Sequence, residues 1–272
     1  MKCIICGNDT GYTQFLGNTI LDNPHAWYCK FCDHKWFTTD KNYGELYADH
    51  VEHIDEPTKS MWSSQYWING TRMMLLGLQK LFVFNVLEVG PGYPGLFYDF
   101  KEQYPESTYY FKETNKKASD KLIQAGARKY RDDIKYDVVL LCNVLYYMED
   151  PVLELKLLRE KMRGNGKILI DIINPAVLPD EYWENNTMIQ VFSKHSLERA
   201  LDKAGFSVVY CGYEGSQELF EVIKKPNIFD RLLNKFGLIT QDRVKQLSKL
   251  HLDGIGSSCC CKYIKAIASQ SF

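Results

Sequence analysis

Between residues 85 and 211 short apolar runs alternate with segments of helical periodicity, one following the other in regular order. Asn85-Val-Leu-Glu-Val89 is apolar, β-branched and closed off by glycines, which predicts a short buried strand. Leu96-Phe-Tyr-Asp-Phe100 predicts the helix after it, ended by Pro105. Ser107–Phe111 is a second strand, aromatic and β-branched. Asn115–Ala125 is a helix stopped by Gly126, and Ala127–Arg131 a third strand. Tyr136–Cys142 is almost continuously apolar, as a central parallel strand should be. Val152–Met162 carries an apolar helical stripe that ends at Gly164-Asn-Gly166, and Lys167–Ile173 is strand five. Ser193 opens a helix that runs to Gly205, and Phe206–Cys211 is strand six. Strand and helix in alternation predict an α/β fold around a mostly parallel sheet.

The flanks are read from the same pattern. Residues 40–60 are mixed and polar and predict a connector. From Ser60 to about Phe84, Trp62, Tyr66, Met73, Met74, Leu76, Leu78 and Leu81 fall near helical spacing. Ala176–Val191 is a loop with Tyr182, Trp183, Asn185 and Asn186, placed beyond the strand ends where open α/β sheets hold substrates. Residues 216–252 predict a helical cap, broken at Pro226. Within it Lys224, Lys225, Arg231, Lys235, Arg243, Lys245 and Lys249 stand against Asp230 and Asp242; this is a solvated face, or a surface for a membrane or a phosphate-bearing ligand. The last, antiparallel strand is assigned to Ser258–Ala268, with Gln217–Lys224 as the alternative. Cys259, Cys260 and Cys261 are read as small buried hydrophobes.

Composition narrows the field without naming a chemistry. The 272 residues carry a formal net charge of -1, so no global field favours a polyanionic partner. A hydrophobic content of 45% with 25% charged residues is that of a globular domain with a sizeable core. No apolar run reaches the roughly 20 residues of a membrane span. The Met-Lys-Cys start has no secretory h-region, which predicts an intracellular, cytoplasmic protein. Nine cysteines in that setting point to metal and free thiols over a disulfide framework.

Four of the cysteines form two C-x-x-C pairs, Cys3-Ile-Ile-Cys6 and Cys29-Lys-Phe-Cys32. Each pair can set two thiolates on one tight turn, and two such turns complete the tetrahedral four-sulfur shell that zinc accepts. The segment resembles a zinc ribbon. A filled shell leaves no position for water, so the expected role is structural. His34 could replace one sulfur but is not needed, and is expected at the surface. Residues 1–40 are then a module that chelation should disorder while the α/β domain stays folded.

The stretch with chemistry at its centre is Val86-Leu-Glu-Val-Gly-Pro-Gly-Tyr-Pro-Gly95. Gly90, Gly92 and Gly95 let the backbone take positive φ and approach a ligand, and the following helix presents its first amides. Glu88 lies two residues before the turn, where its carboxylate would repel a phosphate and favour a cationic sulfonium or ammonium group. Glu113, about twenty residues further on at the end of strand two, is placed to accept both hydroxyl protons of a ribose. That serves S-adenosylmethionine or NAD, and the Gly90–Gly95 spacing itself matches G-x-G-x-x-G, so a nicotinamide oxidoreductase is one alternative.

Val86-Leu-Glu-Val-Gly-Pro-Gly92 resembles the first motif of class I S-adenosylmethionine-dependent methyltransferases, with the third glycine displaced to Gly95. Asp132-Asp133 after strand three, Asn143–Pro151 after strand four, Gly164–Gly166 and Asn174-Pro175 continue the likeness in order, from Val86 to about Val209. The resemblance implies a Rossmann-like, seven-stranded sheet and S-adenosylmethionine as cofactor. It places Glu88, Gly90, Gly92 and Gly95 on the methionine side, Glu113 on the ribose, Asp133 or Asp132 at the adenine edge with a backbone contact from Ile134, and Asn143, Tyr146 and Tyr147 around the methyl group. Where many small-molecule members have glutamate and histidine, this chain has Tyr146 and Tyr147. Tyr147 is a base, if its pKa is lowered, or an aromatic wall. His195 is a further base, or a first-turn surface residue. The domains implied are a ribbon over 1–40, a connector and covering helix over 41–84, and the methyltransferase domain over 85–272. Zinc modules on this fold occur in enzymes acting on nucleotide-linked sugars and glycan precursors and in an rRNA guanine methyltransferase group. Near-neutral charge favours the small-molecule acceptor over nucleic acid. A cofactor-fold binding module without catalysis is the remaining alternative.

Overall fold

The structure is a computed structural model that describes residues 2–10, 12–15, 25–38, 83–92, 94–175, 188–213 and 263–270. The expected helix over 60–82, the loop over 176–187, the cap over 216–252 and Cys259, Cys260 and Cys261 lie outside the described residues.

Three strands come first: β1 (Tyr12–Phe15), β2 (His25–Cys29) and β3 (His34–Thr38). The α/β body follows as β4 (Asn85–Val89), α1 (Gly95–Gln103), β5 (Thr108–Lys112), α2 (Lys116–Ala125), β6 (Arg128–Lys129), β7 (Tyr136–Cys142), a 3-10 turn (Leu145–Tyr147), α3 (Pro151–Glu160) and β8 (Met162–Ile173). Then come β9 (Gln190–Phe192), α4 (Lys194–Lys203), β10 (Phe206–Tyr213) and β11 (Tyr263–Gln270).

The main sheet has seven strands in the order β10-β11-β8-β7-β4-β5-β6. β4, β5, β6, β7 and β8 are parallel, and β11 runs antiparallel to both its neighbours, β8 and β10. This is the Rossmann-like class I methyltransferase sheet that the sequence predicts. Tyr263–Gln270 settles the last strand in favour of the C-terminal assignment, a few residues further along than expected.

Polar side chains set the helix starts as the sequence demands. Asn115 accepts from the amide of Ala118, Asp150 from that of Leu153, and Ser193 from that of Ser196. Each satisfies one of the donors that a helix leaves unpaired at its first turn.

Period-two alternation splits the strand residues between two cores. Val86, Tyr109, Phe111, Val138, Leu140 and Leu169 pack with Leu96, Phe97 and Phe100 of α1. Leu87, Val139, Leu141, Ile168 and Ile170 face α3 and α4 on the other side. Cys3, Ile5, Cys29, Cys32 and Trp36 belong to that second core.

Three expectations are corrected here. The 176–191 region ends in a strand: β9 pairs antiparallel with β3, so the small sheet is β1-β2-β3-β9 and one of its four strands comes from the α/β body. His34 is therefore not at the surface. It is fully buried, opposite Phe192 in the ladder, with its ring between Trp36 at 5.7 Å and Phe192 at 4.9 Å. Gly164–Gly166, expected as the turn before strand five, lies inside β8, where the register with β7 shifts.

Candidate active site

Parallel strands end together, and the first βα turn stands at the carboxyl end of β4 with β5 on one side and β7 on the other. Gly90 has φ +64° and donates its amide to the carbonyl of Lys112 at 2.8 Å. A Cβ at this position would lie 2.4 Å from Val144 Cγ2, so only glycine fits between the turn and the segment after β7. Gly92 also has positive φ, at +61°. Gly95 is the first residue of α1, and Pro94 before it makes no side-chain cap. Among the described residues the N-cap thus gives the first-turn amides of α1 no side-chain acceptor, which suits them to a ligand.

Glu113 is fixed across this turn. Its carboxylate accepts from the Gly92 amide at 2.9 Å and from the Asn115 amide at 2.7 Å. Glu88 and Glu113 are thereby close enough to influence each other. Glu88 is 2% exposed, on the strand face that packs against α1, and accepts a hydrogen bond from the hydroxyl of Tyr109. Burial, and then the charge of Glu113, push its carboxyl up to about 8. A cation at the turn would relieve both causes.

Asn143, one residue past β7, closes the far side. Its φ is +51°, a left-handed conformation that asparagine tolerates. Its amide donates to the carbonyl of Asp171 at 2.7 Å, and its Oδ1 is buried with no hydrogen-bond partner among the described residues. Val144 presses on Gly90, and the 3-10 turn follows with Tyr146 buried and Tyr147 half-buried, their rings edge to face at 4.7 Å. Glu88, Gly90, Gly92, Gly95, Glu113 and Asn143 are therefore gathered at one end of the sheet, with Tyr146 and Tyr147 in the next turn of chain.

The structure does not bring Asp132 and Asp133 to this end. The amide of Tyr130 bonds the carbonyl of Phe111, but by Tyr136 the chain has descended to the amino end of β7, where the Tyr136 amide meets the carbonyl of Lys161. Asp132 accepts from Tyr130 and pairs with Lys161 at 2.8 Å. Asp133 is exposed and held by Arg131. Ile134 packs against the α3 side of the core. His195 is exposed on α4 and lines a groove with Glu198, Arg199, Asp202 and Ser207, beside the edge strand β10 and apart from the glycine turn.

Two residues of this end were not foreseen. Tyr109 lies on the Glu88 face of the sheet, which only the β4–β5 register discloses. Gln190 is buried, accepts from His34 at 2.8 Å, and donates to the carbonyls of Met148 and Glu149 at 3.2 and 3.3 Å.

The cysteines form a second centre. The four Sγ atoms lie within 4.8 Å of one another, with Cys3–Cys32 at 3.6 Å and Cys6–Cys29 at 3.5 Å. A tetrahedral Zn–S distance of about 2.3 Å places sulfurs about 3.8 Å apart, so the set fits that ion. Both pairs are wound alike. Gly7 donates to the carbonyl of Cys3 and Asp33 to that of Cys29, each at 2.8 Å and each with positive φ. Burial raises Cys29, and the shared proton between Cys3 and Cys32 raises Cys32 while lowering Cys3. Holding all four as thiolates in this pocket would need a cation beside them.

The sequence profile of the family described as "Methyltransferase domain" matches residues 44–210, more than half of the chain. No curated protein matches significantly. Among solved structures, a chain from the complex between the Haloferax volcanii Trm112 methyltransferase activator and a methyltransferase superposes with TM-score 0.56 at 11% identity, over 84% of this chain and 96% of that one. The plantazolicin methyltransferase BamL, solved with a triazolic desmethyl analogue and SAH, gives 0.52 at 11% identity, over 84% and 96%. Coclaurine N-methyltransferase, bound to N-methylheliamine and SAH, gives 0.51 at 12% identity, over 80% and 76%. At these identities the likeness is one of fold. No described helix is long and apolar enough to cross a membrane.

Proposed function

The chain belongs to the methyltransferase-domain family, and from that premise we propose that it transfers a methyl group from S-adenosylmethionine to a small molecule of the nucleotide-linked sugar or glycan-precursor class. The observation that carries the cofactor reading is Glu113, locked across the glycine turn by the amides of Gly92 and Asn115. Its carboxylate stands ready to accept ribose hydroxyls. Two of the similar structures were solved with SAH, which supports the same reading.

S-adenosylmethionine when bound supplies an electrophilic methyl group together with its own leaving group, so the chain has chiefly to position and to shape charge. Gly90 and Gly92 clear the space for close backbone approach, and the uncapped start of α1 offers donors to a carboxylate. Glu88, costly to ionise alone, takes up charge opposite a cation and so favours a cationic ligand over a phosphate. Asn143 offers a buried acceptor through Oδ1, and Tyr146 with Tyr147 walls the acceptor side. We further propose that Cys3, Cys6, Cys29 and Cys32 hold a structural Zn²⁺ with no open coordination position.

The test is methyl-labelled S-adenosylmethionine with the zinc-loaded protein and fractionated cell extract. Label in small molecules that a nucleotide pyrophosphatase releases supports the proposal. Label in RNA replaces the acceptor class, and cofactor binding without label in any fraction makes the chain a binding module.

A further inference from the structure

We infer that Gln190 is a positioning residue that ties the cysteine-bearing sheet to the Leu145–Tyr147 turn; the inference rests on the methyl-transfer reading of that turn. The observations form an unbroken path. Cys32 and His34 lie two residues apart, and His34 is the first residue of β3. Its Nε2 meets Gln190 Oε1 at 2.8 Å. An amide oxygen only accepts, so the histidine donates, and the Gln190 amide group is left to donate to the carbonyls of Met148 and Glu149. Reversing that amide would set an oxygen against two carbonyls, so each end of the side chain fixes the other.

Backbone bonds run alongside. The Phe37 amide donates to the carbonyl of Ile189 at 2.9 Å, and the Ile189 amide to that of Tyr146 at 3.0 Å. Gln190 is 2% exposed and His34 fully buried, so water cannot substitute for either partner. The consequence is mechanical. Residues 146–149 are held from one side by β7 and from the other by a strand whose partner, β3, follows directly on the Cys29–Cys32 turn. Metal in the cysteine centre, which orders that turn, stiffens the wall of the acceptor site without touching it.

The experiment uses the full-length, metal-loaded chain and hydrogen exchange at the amides of Tyr147 and Met148, which bond the carbonyls of Val144 and Leu145. Gln190→Leu and Gln190→Glu should each speed that exchange about tenfold, the loss expected for one buried hydrogen-bond link. Amides of Val139–Leu141 in β7 should stay as they are, and cobalt in place of zinc should keep its thiolate absorption band. His34→Phe preserves the ring packing and the two carbonyl bonds, and should speed the exchange less than Gln190→Leu. Stripping the metal with a chelator should loosen Tyr147 and Met148 clearly in the wild type and much less in Gln190→Leu, where only the backbone bonds of Phe37 and Ile189 remain. That weakened metal response is what separates positioning from a general contribution to packing. Unchanged exchange in Gln190→Leu, equal loosening of β7, or no metal response in the wild type would each overturn the inference. SAH titrated into the same wild-type sample reports separately on the methyltransferase reading; its failure to bind would sink that reading and leave the exchange result standing.

Discussion

Glu88→Gln should make the free protein more stable and its cofactor site weaker. Glu88 is 2% exposed, and its carboxyl is raised from 4.5 to about 8 by burial and by Glu113. Below pH 4.5 the folded and unfolded chains both carry the proton, and the wild type loses nothing. As pH rises from 4.5 towards 8 the unfolded chain releases a proton that the folded chain keeps, so stability falls with pH throughout that window. At about 1.4 kcal/mol per pH unit the loss is ~3 kcal/mol at pH 7 and on the order of 5 kcal/mol above pH 8. Glutamine has no charge to bury, and its amide oxygen still accepts from Tyr109. Urea unfolding of both proteins between pH 4 and 9 should give curves that meet at the acid end and diverge upward, the variant on top. Parallel curves, or a wild type that is the more stable at pH 8, would refute the reasoning. A cation at the turn should also draw the proton off Glu88. Cofactor binding at pH 7 should release protons in the wild type, and calorimetry in buffers of different ionisation enthalpy should find that release absent in the variant.

Other outcomes follow from the same geometry. Gly90→Ala combines positive φ with a Cβ pressed into Val144 and should destabilise by about 2–4 kcal/mol in urea; adding Val144→Ala should recover only the steric part, and full recovery would mean that φ is not the constraint. Glu113→Ala removes the carboxylate proposed for the ribose and should weaken SAH binding at least tenfold by calorimetry, at roughly 1.5–3 kcal/mol for a charge-assisted bond; unchanged affinity would remove Glu113 from the site. Chelation, or Cys29→Ser, should loosen β9 along with β1, β2 and β3, because β3 and β9 share a ladder; amides of Val191 and Phe192 that keep full protection would restore the picture of an independent module.

The strands and helices of the α/β body were readable because its strands are apolar runs of the right length, separated by helices with visible caps. That Glu88, Gly90, Gly92 and Glu113 meet at one turn was readable because a turn of this kind fixes them by position along the chain. What sequence could not supply was register and long-range pairing. Tyr109 reaches Glu88 only through the β4–β5 alignment. His34 is buried only because Gln190 and Phe192, more than 150 residues later, complete its strand's ladder. Asp132 and Asp133 were placed by the family resemblance alone. Here residues 130–135 must carry the chain from the end of β6 to the start of β7, which takes both carboxylates to Arg131 and Lys161.

The central claim is that the glycine turn with Glu113 is an S-adenosylmethionine site. Titration calorimetry of the full chain with SAH, and separately with NAD, tests it most directly. The account predicts one saturable SAH site per chain that Glu113→Ala weakens at least tenfold, and no heat from NAD. NAD binding with no SAH binding would contradict it.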